Sequence, residues 1–268
     1  MAEGDTILRL ARRLGEALAG TKLAVRTPGQ RRPAGLPAAE LDGRRLDRAE
    51  SRGKHLLLHF EGGLVLHSHL GMRGSWQIYR DGECWRRSAR RAWVALRGNG
   101  AEAVNFGGST MRIAREAQLR RDPRLAGLGP DLLANDLDVA AAAAGVRIDP
   151  TTELGEALLD QRLVAGIGNI FKSEGCFEAG LAPQRRIEFL SDDELIAVLE
   201  ATRALMLDSV ETGRQPSRVY RKAGRPCPRC GTTIRLRAQG DAARATYWCP
   251  RCQPPSPGED RQQGPEGS

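Results

Sequence analysis

Two pairs, Cys227-Pro-Arg-Cys230 and Cys249-Pro-Arg-Cys252, stand eighteen residues apart and constrain this chain more than any other feature. Each C-x-x-C can place two thiolates on one Zn²⁺ at about 2.3 Å, and two such pairs close a tetrahedral structural site. The intervening stretches 232–237 and 243–248 read as strands, so the spacing predicts a hairpin. The expectation is a zinc ribbon over residues 223–253 holding one structural zinc ion, with a redox dithiol pair as the alternative. Six cysteines in 268 residues do not make a disulfide scaffold.

A second stretch, LLDQRLVAGIGNIFKSEGCFEAGL from Leu158 to Leu181, reads as helix, tight turn, helix. Leu158, Leu159 and Leu163 are close to helical spacing, and Gly166-Ile167-Gly168 stops a regular helix. Asn169 is expected to cap the next one, with Ile170, Phe171, Cys176 and Phe177 on one face. Glycines before a helix N-terminus let backbone N–H groups approach an anion. An ordinary helix hairpin has the same spacing, so the pattern alone leaves both readings open.

Charge points the same way. The chain carries a net charge of +8 and a pI near 9.6, which suits a polyanionic partner. Binding zinc through four thiolates would leave +8 − 4 + 2 = +6. Of the 41 basic residues 37 are Arg, and only Lys22, Lys54, Lys172 and Lys222 are Lys, so a retained lysine hints that a primary amine is wanted. No apolar run reaches transmembrane length and no signal-peptide core is visible. The expectation is a soluble, cytoplasmic monomer with no membrane partner.

In chain order, Ile7, Leu10, Leu14 and Leu18 predict a helix that Asp5 would cap, which puts Ala2 and Glu3 beside its positive end. A strand is expected near residues 23–26. Stretches 55–60 and 64–70 form a hairpin around Glu61-Gly62-Gly63, and stretches 93–96 and 103–106 read as further strands. His55, His59, His67 and His69 alternate along the hairpin; with no Cys or carboxylate at ligand spacing, packing or backbone pairing is the expectation over metal. Residues 120–130 mark a linker, residues 136–144 an Ala-rich helix, and Ser191-Asp192-Asp193-Glu194 a capping box opening a helix to about Thr212. Residues 254–268 read as a disordered tail.

L-L-D-Q-x-x-V-A-G-I-G-N-I-F resembles the helix–two-turn–helix signature of the formamidopyrimidine-DNA glycosylase and endonuclease VIII family. Ala2-Glu3-Gly4, S-R-G-K-H-L around Lys54, HSHLGMRGSW around Met72, GPDLL and R-A-T-Y-W-C-P-R-C-Q from Arg244 match further family motifs in the family's order. The resemblance implies an α+β fold, with an N-terminal β-sandwich and flanking helices in 1–125, a helix–two-turn–helix domain in 126–222, and the ribbon. It also implies a base-excision-repair DNA glycosylase with AP lyase activity, acting on damaged or abasic DNA. An N-terminal amine would attack the sugar C1′, form a Schiff base and cleave the strand by β-elimination. Glu3 would be the general acid, Lys54 and Arg244 phosphate grips and proton carriers, Gly168 and Asn169 phosphate contacts, and Met72 the filler of the space left by an everted nucleotide.

Two departures matter. Ala2 stands where the family has its catalytic proline, which leaves open a weakened enzyme or a protein that binds damaged DNA without cutting it. The family's arginine–phenylalanine pair has no clean counterpart near Asn105-Phe106-Gly107-Gly108. The short segment 213–218 and the GSW text favour oxidised pyrimidines. A zinc-ribbon RNA or transcription module would explain only the thirty or so residues of the ribbon.

Overall fold

The computed structural model describes residues 2–29, 33 and 35–255, and the chain divides into two compact units between Gly127 and Leu128. The tail expected from residue 254 lies, from 256 onwards, outside the described residues. No helix among them is long and apolar enough to cross a membrane.

The first unit runs α1 (Gly4–Leu18), β1 (Ala24–Arg26), β2 (Leu46–Arg52), β3 (His55–Phe60), β4 (Leu64–His69), β5 (Trp76–Arg80), β6 (Val94–Gly98), β7 (Ala101–Asn105), β8 (Thr110–Arg115), α2 (Glu116–Arg120) and α3 (Pro123–Ala126). Its strands form two four-stranded antiparallel sheets, ordered β2-β3-β4-β8 and β1-β6-β7-β5. Ile7, Leu14 and Leu18 of α1 share one core cluster with Leu56, Leu58 and Leu66 of the first sheet and Val94 and Leu96 of the second. Burying two apolar sheet faces against each other is the sandwich solution. The α+β architecture expected from the sequence is the one observed.

Two local expectations are corrected. Helix α1 is capped by Glu3, not Asp5, because the helix begins earlier than its apolar spacing suggests; Asp5 is buried in its first turn. Strand β2 was not legible, since Leu46-Asp-Arg-Ala-Glu-Ser-Arg52 has no apolar alternation. It is an edge strand whose charged side chains reach water, a common protection of sheet edges.

The second unit contains α4 (Val139–Val146), α5 (Leu154–Ala157), α6 (Asn169–Ala179), α7 (Asp192–Thr212), β9 (Arg235–Gln239) and β10 (Arg244–Trp248). Helix α7 opens on the capping box: Ser191 Oγ accepts from the Glu194 N–H at 3.1 Å, and Glu194 accepts from the Ser191 N–H at 2.8 Å. Helices α6 and α7 pack together, and α6 also packs against β10. Within α6, the buried Glu174 accepts the N–H groups of Arg218, Val219 and Tyr220 at 2.7–3.0 Å. One carboxylate thus fixes the backbone that leads into the ribbon. Glu174→Gln puts an amide donor against one of these donors and is expected to cost about 2–3 kcal/mol, read as a lower denaturant midpoint at unchanged slope.

Candidate nucleic-acid interface and metal centre

In the second unit the helix–turn–helix stretch is braced by Gln161. Its Nε2 donates to the Leu159 and Ile167 carbonyls at 2.9 and 3.0 Å, and its Oε1 accepts from the Gly166 N–H at 3.1 Å. Gly166 sits at φ +101°, a conformation closed to most side chains. The first helix expected from Leu158 does not form: the single turn of α5 ends at Ala157, and residues 158–168 are turns, because Gln161 and Asp160 bond this backbone instead of a helical ladder. Helix α6 is capped by Gly168 in extended geometry, so Asn169 is its first residue, not its cap.

That shift gives the Asn169 side chain another task. Its Nδ2 donates to the Ala245 carbonyl of β10 at 2.8 Å, while its buried Oδ1 accepts no bond among the described residues. Asn169 is therefore tied one residue along the strand from Arg244, whose side chain is exposed at the start of β10 beside the hairpin turn. Three residues on, the fully buried Lys172 donates from Nζ to Thr246 Oγ1 at 2.6 Å. Thr246 donates to Gln239 Oε1 at 2.8 Å, and Gln239 donates to Glu153 and the Pro183 carbonyl, both at 2.7 Å. The scarcity of lysine hinted at a role for Lys172, but nothing in the sequence pairs it with a residue 74 positions away.

The ribbon's cysteines converge. The ligand sulfurs of Cys227, Cys230, Cys249 and Cys252 all lie within 4.8 Å of one another, with Cys227–Cys252 at 3.8 Å and Cys230–Cys249 at 3.4 Å, and none forms a disulfide. Four thiolates at about 2.3 Å from one tetrahedral ion would stand about 3.8 Å apart, so the set fits zinc. The thiol of Cys176, on α6, is buried and pushed up to about 12 by burial, which keeps it protonated and outside this chemistry.

In the first unit Glu3 is wholly buried at the N-terminal end of α1, and Ala2 packs partly buried against the core. Lys54 follows Gly53 in the β2–β3 turn, and its charge reaches His69, lowering that ring's proton affinity after burial has had the larger effect. His69 accepts the Gly71 N–H at 3.2 Å at the start of the turn carrying Met72, whose side chain is 65% exposed. Met72 is therefore not a core residue. Phe106 is: only 2% exposed, it packs with Tyr79, Ala95 and Val104. A ring held there is not presented to a duplex.

The histidines form a hydrogen-bonded chain that alternation did not reveal. Arg112 Nε donates to His67 Nδ1 at 3.1 Å, and Arg112 pairs with Asp122. Because Arg only donates, His67 must carry its proton on Nε2, from which it donates to His55 Nδ1 at 2.8 Å. His59 stands apart, 3.0 Å from Glu50. Burial, then Arg112, lowers His67 to about 4, and burial, then the other rings, lowers His55 to about 3, both from 6.5. The unfolded chain therefore binds more protons than the folded one from about pH 6.5 down to about 4, so stability falls with pH through that window. For the fully buried His67 the loss is of the order of 3 kcal/mol, and His67→Gln should flatten this acid limb of a denaturation series.

Comparison with known proteins agrees with the geometry. The formamidopyrimidine-DNA glycosylase N-terminal domain matches residues 1–118, the H2TH domain of the same proteins residues 128–221, and the zinc finger found in FPG and IleRS residues 224–255. "Probable endonuclease 8 2" of Streptomyces coelicolor is 42% identical over 94% of each chain. "DNA-(apurinic or apyrimidinic site) lyase Nei2" of Mycolicibacterium smegmatis is 36% identical over 94% of this chain and 99% of its own. Among solved structures, the MutM (Fpg) protein of Thermus thermophilus is 30% identical with a TM-score of 0.78, covering 95% of this chain and all of its own. With all three parts matched in order and relatives aligned almost end to end, this chain belongs to the formamidopyrimidine-DNA glycosylase family, in which its similar relatives include endonuclease 8 proteins.

Proposed function

We propose that this protein is a bifunctional DNA glycosylase with AP lyase activity that removes oxidised bases, pyrimidines in preference, and cuts the strand at the abasic site. Its relatives carry the names endonuclease 8, AP lyase and formamidopyrimidine-DNA glycosylase. The observation that carries the reading is Glu3, a carboxyl group wholly buried at the positive end of a 15-residue helix, next to the residue that supplies the amine. An acid also suits the positive end of a helix, but binding DNA alone calls for no proton donor beside the amine.

Removal of Met1 leaves the α-amine on Ala2. An α-amine titrates near ~7.7–8.0, so roughly a tenth is neutral at pH 7, against well under a thousandth of a free lysine. The neutral nitrogen donates its lone pair to C1′, the C1′–base bond breaks, and the base leaves with its electron pair and the proton that the attacking amine sheds. Glu3 protonates the ribose ring oxygen as the ring opens, and the amine and C1′ become an imine. Loss of a C2′ proton then expels the 3′ phosphate, which is the β-elimination. Ala2 forms this imine as a primary amine, without the ring that fixes proline's nitrogen, so slower chemistry of the same class is expected.

Lys54, with His69 beside it, supplies positive charge in the first unit, and Arg244 does so in the second. Gly168 and Asn169 offer backbone N–H groups at the start of α6, and Asn169 has a second amide hydrogen beyond the one held by Ala245. Met72 is an exposed apolar side chain of the first unit, available to enter the duplex. One zinc ion held by the four cysteines keeps the hairpin of Arg244 folded. The test is incubation with a duplex carrying a single oxidised pyrimidine or abasic site, followed by borohydride. A covalent adduct and a β-elimination product are expected; tight binding with neither would make this a binding protein.

A further inference from the structure

Side chains alternate across a strand pair, so one face of the ribbon hairpin carries Gln239, Thr246 and Arg237 together with Arg235 and its register partner Trp248. Gln239 donates to Glu153 and to the Pro183 carbonyl, which turns this face toward the chain that follows α6. At the base of the hairpin the two do not close on each other. A cavity of about 410 Å³ lies there, at the far end of β10 from Arg244 and the hairpin turn.

Its walls are fixed. Gln253, beside the metal-binding Cys252, donates to the Leu181 carbonyl at 2.8 Å and accepts the Cys249 N–H at 2.9 Å. The Ile187 N–H donates to the Thr152 carbonyl at 3.0 Å, and the Leu154 N–H to the Arg185 carbonyl at 2.9 Å. A cavity framed by such bonds costs little ordering when a ligand enters.

The lining carries charge, aromatic surface and an unanswered amide. Arg186, Arg235 and Arg237 stand against one carboxylate, Glu153. Both Glu153 oxygens are engaged, one by Arg237 and the other by Gln239 at 2.7 Å, and Arg186 lies 3.6 Å from Glu188. Arg235 is exposed, and no carboxylate among the described residues pairs with it. Trp248 is half-buried and Phe189 is exposed, so two rings border the cavity. Gln184 adds an amide whose buried Nε2 has no hydrogen-bond partner among the described residues. The terminal torsion of glutamine is broad enough to turn that amide toward a ligand.

The geometry points to a nucleotide site at the base of the ribbon, with a nucleobase stacked on Trp248, its polar edge met by Gln184, and its phosphate held by Arg235 with Arg237 and Arg186 beside it. Bases stack on aromatic rings and guanidinium planes, and guanidinium forks match phosphate oxygens two at a time. The volume falls in the range of small-molecule sites. Inorganic phosphate would leave the rings and the amide without a role, and an apolar ligand would leave Arg235 unanswered. An acidic peptide suits the charge alone. The nucleotide is either free or an unpaired nucleotide of a strand, since both present the same base and phosphate. None of these residues belongs to the chemistry proposed above, so the inference stands apart from the glycosylase reading.

The test is calorimetric titration of the zinc-loaded full chain with dAMP, deoxyadenosine, inorganic phosphate, a 5′-phosphorylated dA tetranucleotide and an Asp/Glu-rich heptapeptide. A Kd for dAMP on the order of 10⁻⁵–10⁻⁴ M is expected, with deoxyadenosine and phosphate each at least about tenfold weaker. Arg235→Gln and Trp248→Leu should each weaken dAMP by about tenfold or more, while Arg214→Gln, an exposed arginine outside the cavity, should not. Zinc content and thermal midpoint are measured for every variant. Should Trp248→Leu lose the metal, Trp248→Phe, which keeps a stacking face, should retain most of the binding. Binding of dAMP alone assigns a free nucleotide, and binding of the tetranucleotide alone, with the same dependence on Arg235 and Trp248, assigns a strand. Four results would overturn the site: no binding of either, phosphate binding as well as dAMP, variants equal to wild type, or binding of the peptide only.

Discussion

Protein carrying an N-terminal extension is expected to lose both base removal and trapping on abasic DNA, by roughly two to three orders of magnitude. That is about the ratio of neutral α-amine to neutral lysine at pH 7, the best substitute the chain could recruit. Binding should survive, because Lys54, Asn169 and Arg244 are untouched. With the native terminus, the borohydride adduct should map to Ala2. Ala2→Pro should raise the rate, since it restores a ring-held amine without moving the nitrogen. Glu3→Gln should slow base removal much more than cleavage of a ready-made abasic site, where no base has to leave. Trapping by the extended protein equal to that of the native one would exclude the α-amine, and Lys54→Ala would then show whether Lys54 had replaced it.

Cys249→Ser is expected to release the metal and weaken DNA binding by about a hundredfold or more. In small metal ribbons much of the folding free energy is metal-binding free energy, and Cys249 is wholly buried in this one. The effect should not stop at the ribbon. Strand β10 supplies the Ala245 carbonyl that holds Asn169 and the Thr246 hydroxyl that takes the buried Lys172 ammonium. Unfolding the hairpin takes both partners from α6, and losing a hydrogen bond to a charged group costs about 1.5–3 kcal/mol. Metal analysis, thermal midpoint and affinity should therefore fall together, and zinc-loaded wild type treated with a chelator should follow the same course. Fully reduced wild type that contains no zinc would sink the idea.

The arrangement of the second unit explains why these residues act together. Asn169 begins a helix whose N-terminal approach is braced by Gln161, and its side chain reaches the strand that begins with Arg244. Glu174, further along the same helix, ties down residues 218–220. A single helix thus sets the turn at its start, the chain leading into the ribbon, and the hairpin on which the arginine is carried.

Features legible in the chain alone are those that short-range chemistry dictates. Two C-x-x-C pairs bring four sulfurs together because each pair spans a single turn. Ser191 and Glu194 cap α7 because they are three residues apart, and the Glu61-Gly62-Gly63 turn folds β3 onto β4 because both flanking runs are apolar. Packing settled the rest, through partners far away in the chain. It turned Asn169 from cap to tie, since its acceptor lies 76 residues on; it made a strand of the charged stretch 46–52, since pairing with β3 and not burial holds it there. It buried Lys172 against Thr246, buried Phe106 while leaving Met72 in water, and strung His67 and His55 in line behind Arg112. Hydrogen bonds of that reach leave no period in a sequence; they follow from which faces are buried once the sheets and helices have packed.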